Sequence, residues 1–145
     1  MAIRPIEAGD RGAWGQLFRD YGVFYETSFD DTVLEGVFAW LMDAAHPVSA
    51  FVATDGGTLV GFAHYRSVPD TFTAADGWVL DDLYVEPGQR GKGLATSLID
   101  AVAASCTSQG GGTLRWITAA SNTTAQRVYD RIATRSTWVT YEKET

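Results

Sequence analysis

Between Val85 and Ala95 the chain reads Val85-Glu86-Pro87-Gly88-Gln89-Arg90-Gly91-Lys92-Gly93-Leu94-Ala95, a glycine-rich basic turn set between two apolar elements. Trp78 to Val85, before it, is rich in large apolar residues and reads as a strand. After it Leu94, Leu98, Ile99 and Val102 recur at helical spacing. Gly91 and Gly93 remove Cβ atoms where main chain must come close to a ligand, so the amides from Arg90 to Ala95 can point at phosphate oxygens at a helix start. Arg90 and Lys92 add full positive charge, and the pattern predicts a diphosphate cradle. A Walker loop does not fit, because Lys92 is followed by Gly93 rather than by Ser or Thr. A Rossmann turn does not fit either. It needs three spaced glycines near the first strand and an acidic residue about 20 positions on, whereas this turn lies past mid-chain with Ser108-Gln109-Gly110-Gly111 downstream.

Two further groupings are placed to do chemistry. Asp81 and Asp82 are adjacent on the strand that enters the turn, so their side chains should point to opposite faces unless a bulge intervenes. Tyr129 follows Asn122 by two helical turns, so both can face one groove. The two histidines, His46 and His64, have no companion at metal-ligand spacing, and no metal is expected. His46, before Pro47, reads as a loop residue and His64 as a sheet residue. Cys106, the single cysteine, reads as a buried inert thiol.

The segment Arg90-x-x-Gly93-x-Ala95 resembles the coenzyme A signature of the GNAT superfamily of N-acetyltransferases. Leu80-Asp81-Asp82-Leu83-Tyr84-Val85 is similar to the acidic-acidic-apolar-aromatic-Val strand of its polyamine acetyltransferases. Ser121 to Arg131, with Asn122, Ala125 and Tyr129, resembles the family's closing helix. The three motifs occur in the family's order. The resemblance implies acetyl-CoA as cosubstrate, with Gln89, Arg90, Gly91, Lys92, Gly93, Leu94 and Ala95 at the pyrophosphate. It implies Leu83, Tyr84 and Val85 along the pantetheine arm through their backbone, and Asn122 also on that arm. In the resembling enzymes the acidic pair lines the amine site. Asp81 and Asp82 are therefore both candidates for the base, with Asp81 slightly preferred, and Tyr129 is the candidate acid for the departing thiolate. The expected acceptor is a primary amine: a polyamine, another small amine or a lysine side chain. Tyr21 to Glu26 with Trp40 is placed to wall that acceptor, and Glu26, Asp30 or Asp31 to pair with a distal charge. A non-catalytic acyl-CoA-binding or sensing module is the alternative, which loss of the tyrosine or the acidic pair would have favoured.

Tyr129 to Ser136 followed by Trp138-Val139-Thr140-Tyr141 resembles the tail of the histone- and polyamine-acetylating branch, although the Gly-Phe pair common after the tyrosine is absent. Members of that branch often associate through C-terminal strands, so a homodimer is expected, with an exposed edge at Trp138 to Lys143 as its physical basis.

The chain of 145 residues, 46% hydrophobic, suits one domain over residues 1–145 with one core. No apolar run approaches the ~20 residues needed to span a bilayer, and Met1-Ala2-Ile3-Arg4-Pro5 lacks the apolar core of a secretion signal. With the single cysteine, this leads us to expect a cytoplasmic protein without a membrane partner. The net charge of −7 argues against a nucleic-acid partner and would steer a cationic acceptor inward.

These residues must be positioned by a mixed sheet. Ile3–Ile6 reads as a first strand, and Asp10 as the N-cap of a helix presenting Trp14, Leu17, Phe18 and Tyr21. A second helix is expected from about Thr32 to Leu41. Ser49–Thr54 and Leu59–Ser67 read as strands joined at Asp55-Gly56-Gly57, a hairpin signal. After the strand Trp78–Val85 and a helix to about Ser108 come a strand Thr113–Thr118, a helix Thr123–Arg131 and a last strand Thr137–Lys143. The expected fold is α/β: a central mixed, mostly antiparallel sheet flanked by about four helices, parallel only where a helix intervenes.

Overall fold

Successive residues of a strand face opposite sides of a sheet, and in this chain both sides are apolar. A computed structural model describes residues Met1–Thr145. Its strands are β1 (Ala2–Pro5), β2 (Val48–Asp55), β3 (Thr58–Asp70), β4 (Ala75–Val85) and β5 (Leu114–Arg115), and its helices are α1 (Arg11–Phe24), α2 (Asp31–Met42), α3 (Leu94–Ser108) and α4 (Thr123–Ile132). The strands lie in the order β1-β2-β3-β4-β5. All pairs are antiparallel except β4 with β5, which α3 joins in parallel. The expected mixed, mostly antiparallel sheet with four helices is the fold found.

Alternation sorts the core into two layers. Val52, Phe62 and Tyr84 meet Trp14, Leu17, Phe18, Leu34 and Phe38 of α1 and α2. Their chain neighbours Ala53, Ala63 and Val85 face the other way, toward Leu94, Leu98, Ile99, Val102 and Cys106 of α3. Full burial of each large apolar side chain is worth about 1.5–3 kcal/mol, so α1 and α3 are held from opposite sides against the middle strands that carry the two aspartates.

Two expectations are corrected. Asp10 stands at the α1 N-cap position, but its carboxylate makes no cap hydrogen bond there. A 3₁₀ turn, Ala8–Asp10, precedes the helix. The carboxylate instead accepts from Arg4 Nη1 at 2.7 Å, Arg4 Nη2 at 2.9 Å and the Glu7 amide at 2.8 Å. The predicted last strand, Thr137–Lys143, does not form; no residue after Ile132 belongs to a helix or strand. The strand β5 joins the ladder only at Leu114 and Arg115, rather than along Thr113–Thr118, so it offers almost no edge beside which a further strand could pair. Trp138, Val139 and Tyr141 are left 80%, 74% and 91% exposed. No helix is long and apolar enough to cross a membrane.

The Arg4–Asp10 pair gives a pH prediction. Hydrogen bonds from Arg4, helped by the Glu7 amide, hold the Asp10 carboxyl below its ordinary value. The folded pKa is depressed, so the stabilisation is present above the ordinary carboxylate range and is lost as pH falls through the folded value. Asp10→Asn is expected to lose about 1.5–3 kcal/mol near neutral pH, the usual worth of hydrogen bonds to a charged group. In urea unfolding the gap to the parent should narrow as pH falls below the ordinary carboxylate range; a gap that stayed constant would contradict this account.

Candidate active site

The β4–β5 ladder ends at Val79 and Arg115, so from Leu80 onward the edge of β4 turned away from β3 has no partner strand. A bulge accompanies the separation. His64 pairs with Asp82 and Tyr65 with Leu80, which leaves Asp81 as the extra residue on β4. A bulge bends its strand and re-aims side chains, and both aspartates therefore reach one cavity. That cavity, about 550 Å³, has Leu80–Val85 on one side and Trp116, Ile117 and Thr118 on the other.

At one end lies the glycine-rich turn. Pro87–Gln89 forms a 3₁₀ turn, and Gly93, in the left-handed region, is the N-cap residue of α3 with no side chain capping it. Gly91 and Gly93 have φ of 79° and 78°, a conformation that costs other L-residues about 1–2 kcal/mol. None of the turn and cap hydrogen bonds uses the amides of Gly91, Lys92, Gly93, Leu94, Ala95 or Thr96. Free amides at a helix N-terminus favour an anion, and these residues fit a pyrophosphate. Arg90 folds back across the turn: its Nε donates to the Val85 carbonyl at 2.9 Å, and its guanidinium lies 5.7 Å from the Tyr84 ring centre and 6.0 Å from that of Phe24.

Of the residues singled out in the sequence, Asp81, Asp82, Leu83, Tyr84, Val85, Gln89, Arg90, Gly91, Gly93, Leu94, Ala95, Asn122 and Tyr129 line the cavity. Lys92 does not; its Nζ donates to Gln89 Oε1 at 2.9 Å, which turns the ammonium along the surface. Asn122 caps α4, its Oδ1 accepting from the Ala125 amide at 3.2 Å. Two turns on, Tyr129 is half-buried with Trp116 edge-on at 5.5 Å. Burial, and secondarily Tyr25, raise the Tyr129 phenol above its ordinary value.

The two aspartates are held differently. Asp81 Oδ2 accepts from Arg66 Nε at 2.8 Å near the surface. Asp82 Oδ2 lies 2.9 Å from Nδ1 of the buried His64. Tyr21 stands beside Asp82, its phenol raised by burial first and then by the Asp82 charge. Of the segment Tyr21 to Glu26, Tyr21, Phe24 and Tyr25 line the cavity. Glu26, Asp30, Asp31 and Trp40 are not on it. Asp30 caps α2 through the Val33 amide, Asp31 pairs with Arg19, and Trp40 stacks on His46. Arg131, Trp116 and Ile117 line the cavity without having been foreseen; helical spacing alone does not say which side of α4 or β5 faces β4. No group of three or more His, Cys, Asp or Glu side chains could hold a metal ion.

A family model described as the Acetyltransferase (GNAT) family matches residues 14–133. The chain is similar to the D-amino-acid N-acetyltransferase HPA3 of Saccharomyces cerevisiae, 28% identical over 99% of this chain and 90% of that protein. Among solved structures it resembles the ribosomal-protein-alanine N-acetyltransferase of Brucella melitensis biovar Abortus 2308, with a TM-score of 0.81, 24% identity and coverage of 99% and 98% of the two chains. It also resembles the aminoglycoside N-acetyltransferase AAC(6')-Iy in complex with CoA, with a TM-score of 0.84, 22% identity and coverage of 99% and 93%. At these identities the structural likeness speaks for the fold alone.

Proposed function

The chain belongs to the acetyltransferase (GNAT) family and is an acetyl-CoA-dependent N-acetyltransferase, and from that premise we propose that its acceptor is a primary amine arriving as a cation, with Asp82 as base and Tyr129 as acid. One observation carries the proposal: Asp82 and Tyr129 line the same cavity as the uncapped start of α3 and the unpartnered edge of β4.

Acetyl-CoA supplies an activated acyl thioester. The amides from Gly91 to Ala95, with Arg90, hold its pyrophosphate, and the free backbone edge at Leu83, Tyr84 and Val85 takes the pantetheine arm in the manner of an added strand. Asn122 contacts the same arm. Asp82 accepts the proton the acceptor ammonium must lose, directly or through one water. The freed nitrogen lone pair forms the C–N bond, the C–S bond breaks, and the Tyr129 phenol gives its proton to the departing sulfur. The nitrogen, positively charged once the C–N bond has formed, loses its second proton to solvent; solvent also returns a proton to Tyr129 and removes one from Asp82, leaving a neutral amide and a free thiol.

A polyamine, another small amine or a lysine side chain fits the carboxylates of Asp81 and Asp82, the aromatic wall of Tyr21, Phe24 and Tyr25, and the net charge of −7. The similarity of Leu80–Val85 and of Tyr129–Ser136 to the histone- and polyamine-acetylating branch supports the same class. Arg131 favours a second reading. It lines the cavity outside every ion pair of the chain, so an acceptor carrying its own carboxylate, an amino acid, would be paired at both ends; the yeast relative is by name an N-acetyltransferase of D-amino acids. Thiol release from acetyl-CoA, measured across polyamines, aminoglycosides, basic peptides, and D- and L-amino acids with their amides, separates the two. Turnover of polyamines supports the first reading, and a requirement for the free carboxylate supports the second. Neutral amines matching cationic ones would end the charge-steering argument.

Residues 1–145 would work as one domain, in the cytoplasm, as a homodimer. The support for the dimer is the tail. Thr137-Trp138-Val139-Thr140-Tyr141 has the composition of a strand yet no partner in its own chain, and its apolar residues are exposed. Pairing with a second copy would cover it. Sedimentation is expected to give twice the chain mass, and Val139→Pro, which removes a ladder donor, to give the single-chain mass; a parent already sedimenting as one chain would refute the dimer.

A further inference from the structure

Behind Asp82, on the side away from the cavity, lies a buried polar chain. Trp14 of α1 and His64 of β3 are 1% and 2% exposed. The Trp14 indole Nε1–H donates to His64 Nε2 at 2.9 Å, and His64 Nδ1 faces Asp82 Oδ2 at 2.9 Å. Phe18 packs edge-on against the imidazole at 4.9 Å and Phe62 packs at 4.6 Å, which closes off the rest of the ring. An indole N–H can only donate, so Nε2 must accept; the ring proton is then on Nδ1 and is donated to the carboxylate. The opposite tautomer would set two donors against each other at Trp14 and two acceptors at Asp82.

We propose that Trp14 and His64 are positioning residues for the acetyl transfer: the indole holds the imidazole with Nδ1–H toward Asp82, and the imidazole holds the Asp82 carboxylate in the orientation in which it takes the acceptor's proton. The inference rests on the reading of Asp82 as base. Three elements meet here. His64 and Asp82 are directly opposed across β3 and β4, one residue from the bulge at Asp81, and Trp14 closes the chain from the helix layer. A carboxylate next to a bulge lacks the regular pleat that would fix its direction, and groups that exchange protons must be held to within about 0.5 Å. The His64 hydrogen bond supplies that constraint through Oδ2 and leaves Oδ1 clear of the ring. His64 is not a proton shuttle. Its second nitrogen is sealed by an indole that cannot accept, so the proton taken by Asp82 leaves by way of the cavity.

The test combines a spectroscopic readout with a kinetic contrast in the full-length protein. Long-range ¹H–¹⁵N spectra of the imidazole nitrogens, with His46→Ala to assign the two rings, should show His64 protonated at Nδ1 alone. His64 protonated at Nε2 in the parent would overturn the proposal. His64→Asn and His64→Leu both leave the Trp14 indole without its acceptor, but only the asparagine amide presents a donor where Nδ1 stood. With a turned-over amine, His64→Leu is expected to lower kcat by about 10- to 100-fold, as the loss of an outer-shell orienting partner does elsewhere, with KM for acetyl-CoA unchanged. His64→Asn should recover most of that kcat. Equal kcat in the two variants would make the network a matter of packing and refute the positioning role. Should either variant fail to fold, the tautomer in the parent decides. The underlying reading fails separately: an Asp82→Asn variant with full kcat would remove the base even where the tautomer is as stated.

Discussion

Asp82→Asn is expected to lower kcat by about 10²- to 10⁴-fold, the range in which a positioned acid–base group contributes, while Asp81→Asn lowers it far less. The two residues are neighbours in sequence and share one cavity, so the difference lies in their partners. One oxygen of Asp81 is committed to the Arg66 guanidinium at 2.8 Å, a contact near the surface. Asp82 is held from behind by a neutral donor, the His64 imidazole, and faces the aromatic wall where a cationic amine would be desolvated. The asparagine variant is a clean probe because its Oδ1 can still accept from His64 Nδ1–H, so the network survives while the capacity to take a proton is lost. Steady-state kinetics with a responsive amine, at acetyl-CoA saturation, measures the effect. A large loss in Asp81→Asn with little in Asp82→Asn would return the base to Asp81, the residue the family resemblance slightly preferred.

That preference shows where a sequence stops being legible. The glycine turn at the start of α3 could be read because its determinants are local: glycines, basic residues and a helix start are contiguous in the chain, and Gly91 and Gly93 do adopt the left-handed conformation that only glycine takes without strain. The alternation of Val52 with Ala53 and of Phe62 with Ala63 likewise reveals a sheet covered on both faces. The pairing of His64 with Asp82 is a matter of register across fifty residues of chain from Trp14 and eighteen between the pair, and single-strand periodicity carries no register. The bulge at Asp81 is equally silent, since it arises from how β4 must leave β5. The tail failed for the opposite reason. Its composition is that of a strand, but composition cannot supply an edge to pair with, and the two-residue β5 offers almost none. Lys92 was read as a phosphate ligand from charge and proximity alone, and a side chain as long as lysine's found a nearer acceptor in Gln89.

Tyr129→Phe is expected to lower kcat by about 10²-fold or more while leaving KM for acetyl-CoA nearly unchanged. The ring, packed edge-on against Trp116 and partly against the core beneath α4, is retained in phenylalanine, so the variant removes one hydroxyl and little else. Burial and the nearby Tyr25 raise the phenol above the ordinary tyrosine value. A raised value means that the group stays protonated through neutral and mildly alkaline pH, which is the state a proton donor to a departing thiolate needs. A residue that served only to pack Trp116 would show no such requirement. The two roles separate by leaving group: an acetyl thioester of a more acidic thiol needs less protonation as the C–S bond breaks, so the ratio of parent to variant rates should shrink with such a donor relative to acetyl-CoA. Turnover undiminished in Tyr129→Phe, or a ratio independent of the thiol, would strip Tyr129 of the acid role and leave sulfur to be protonated by solvent entering between Trp116 and β4.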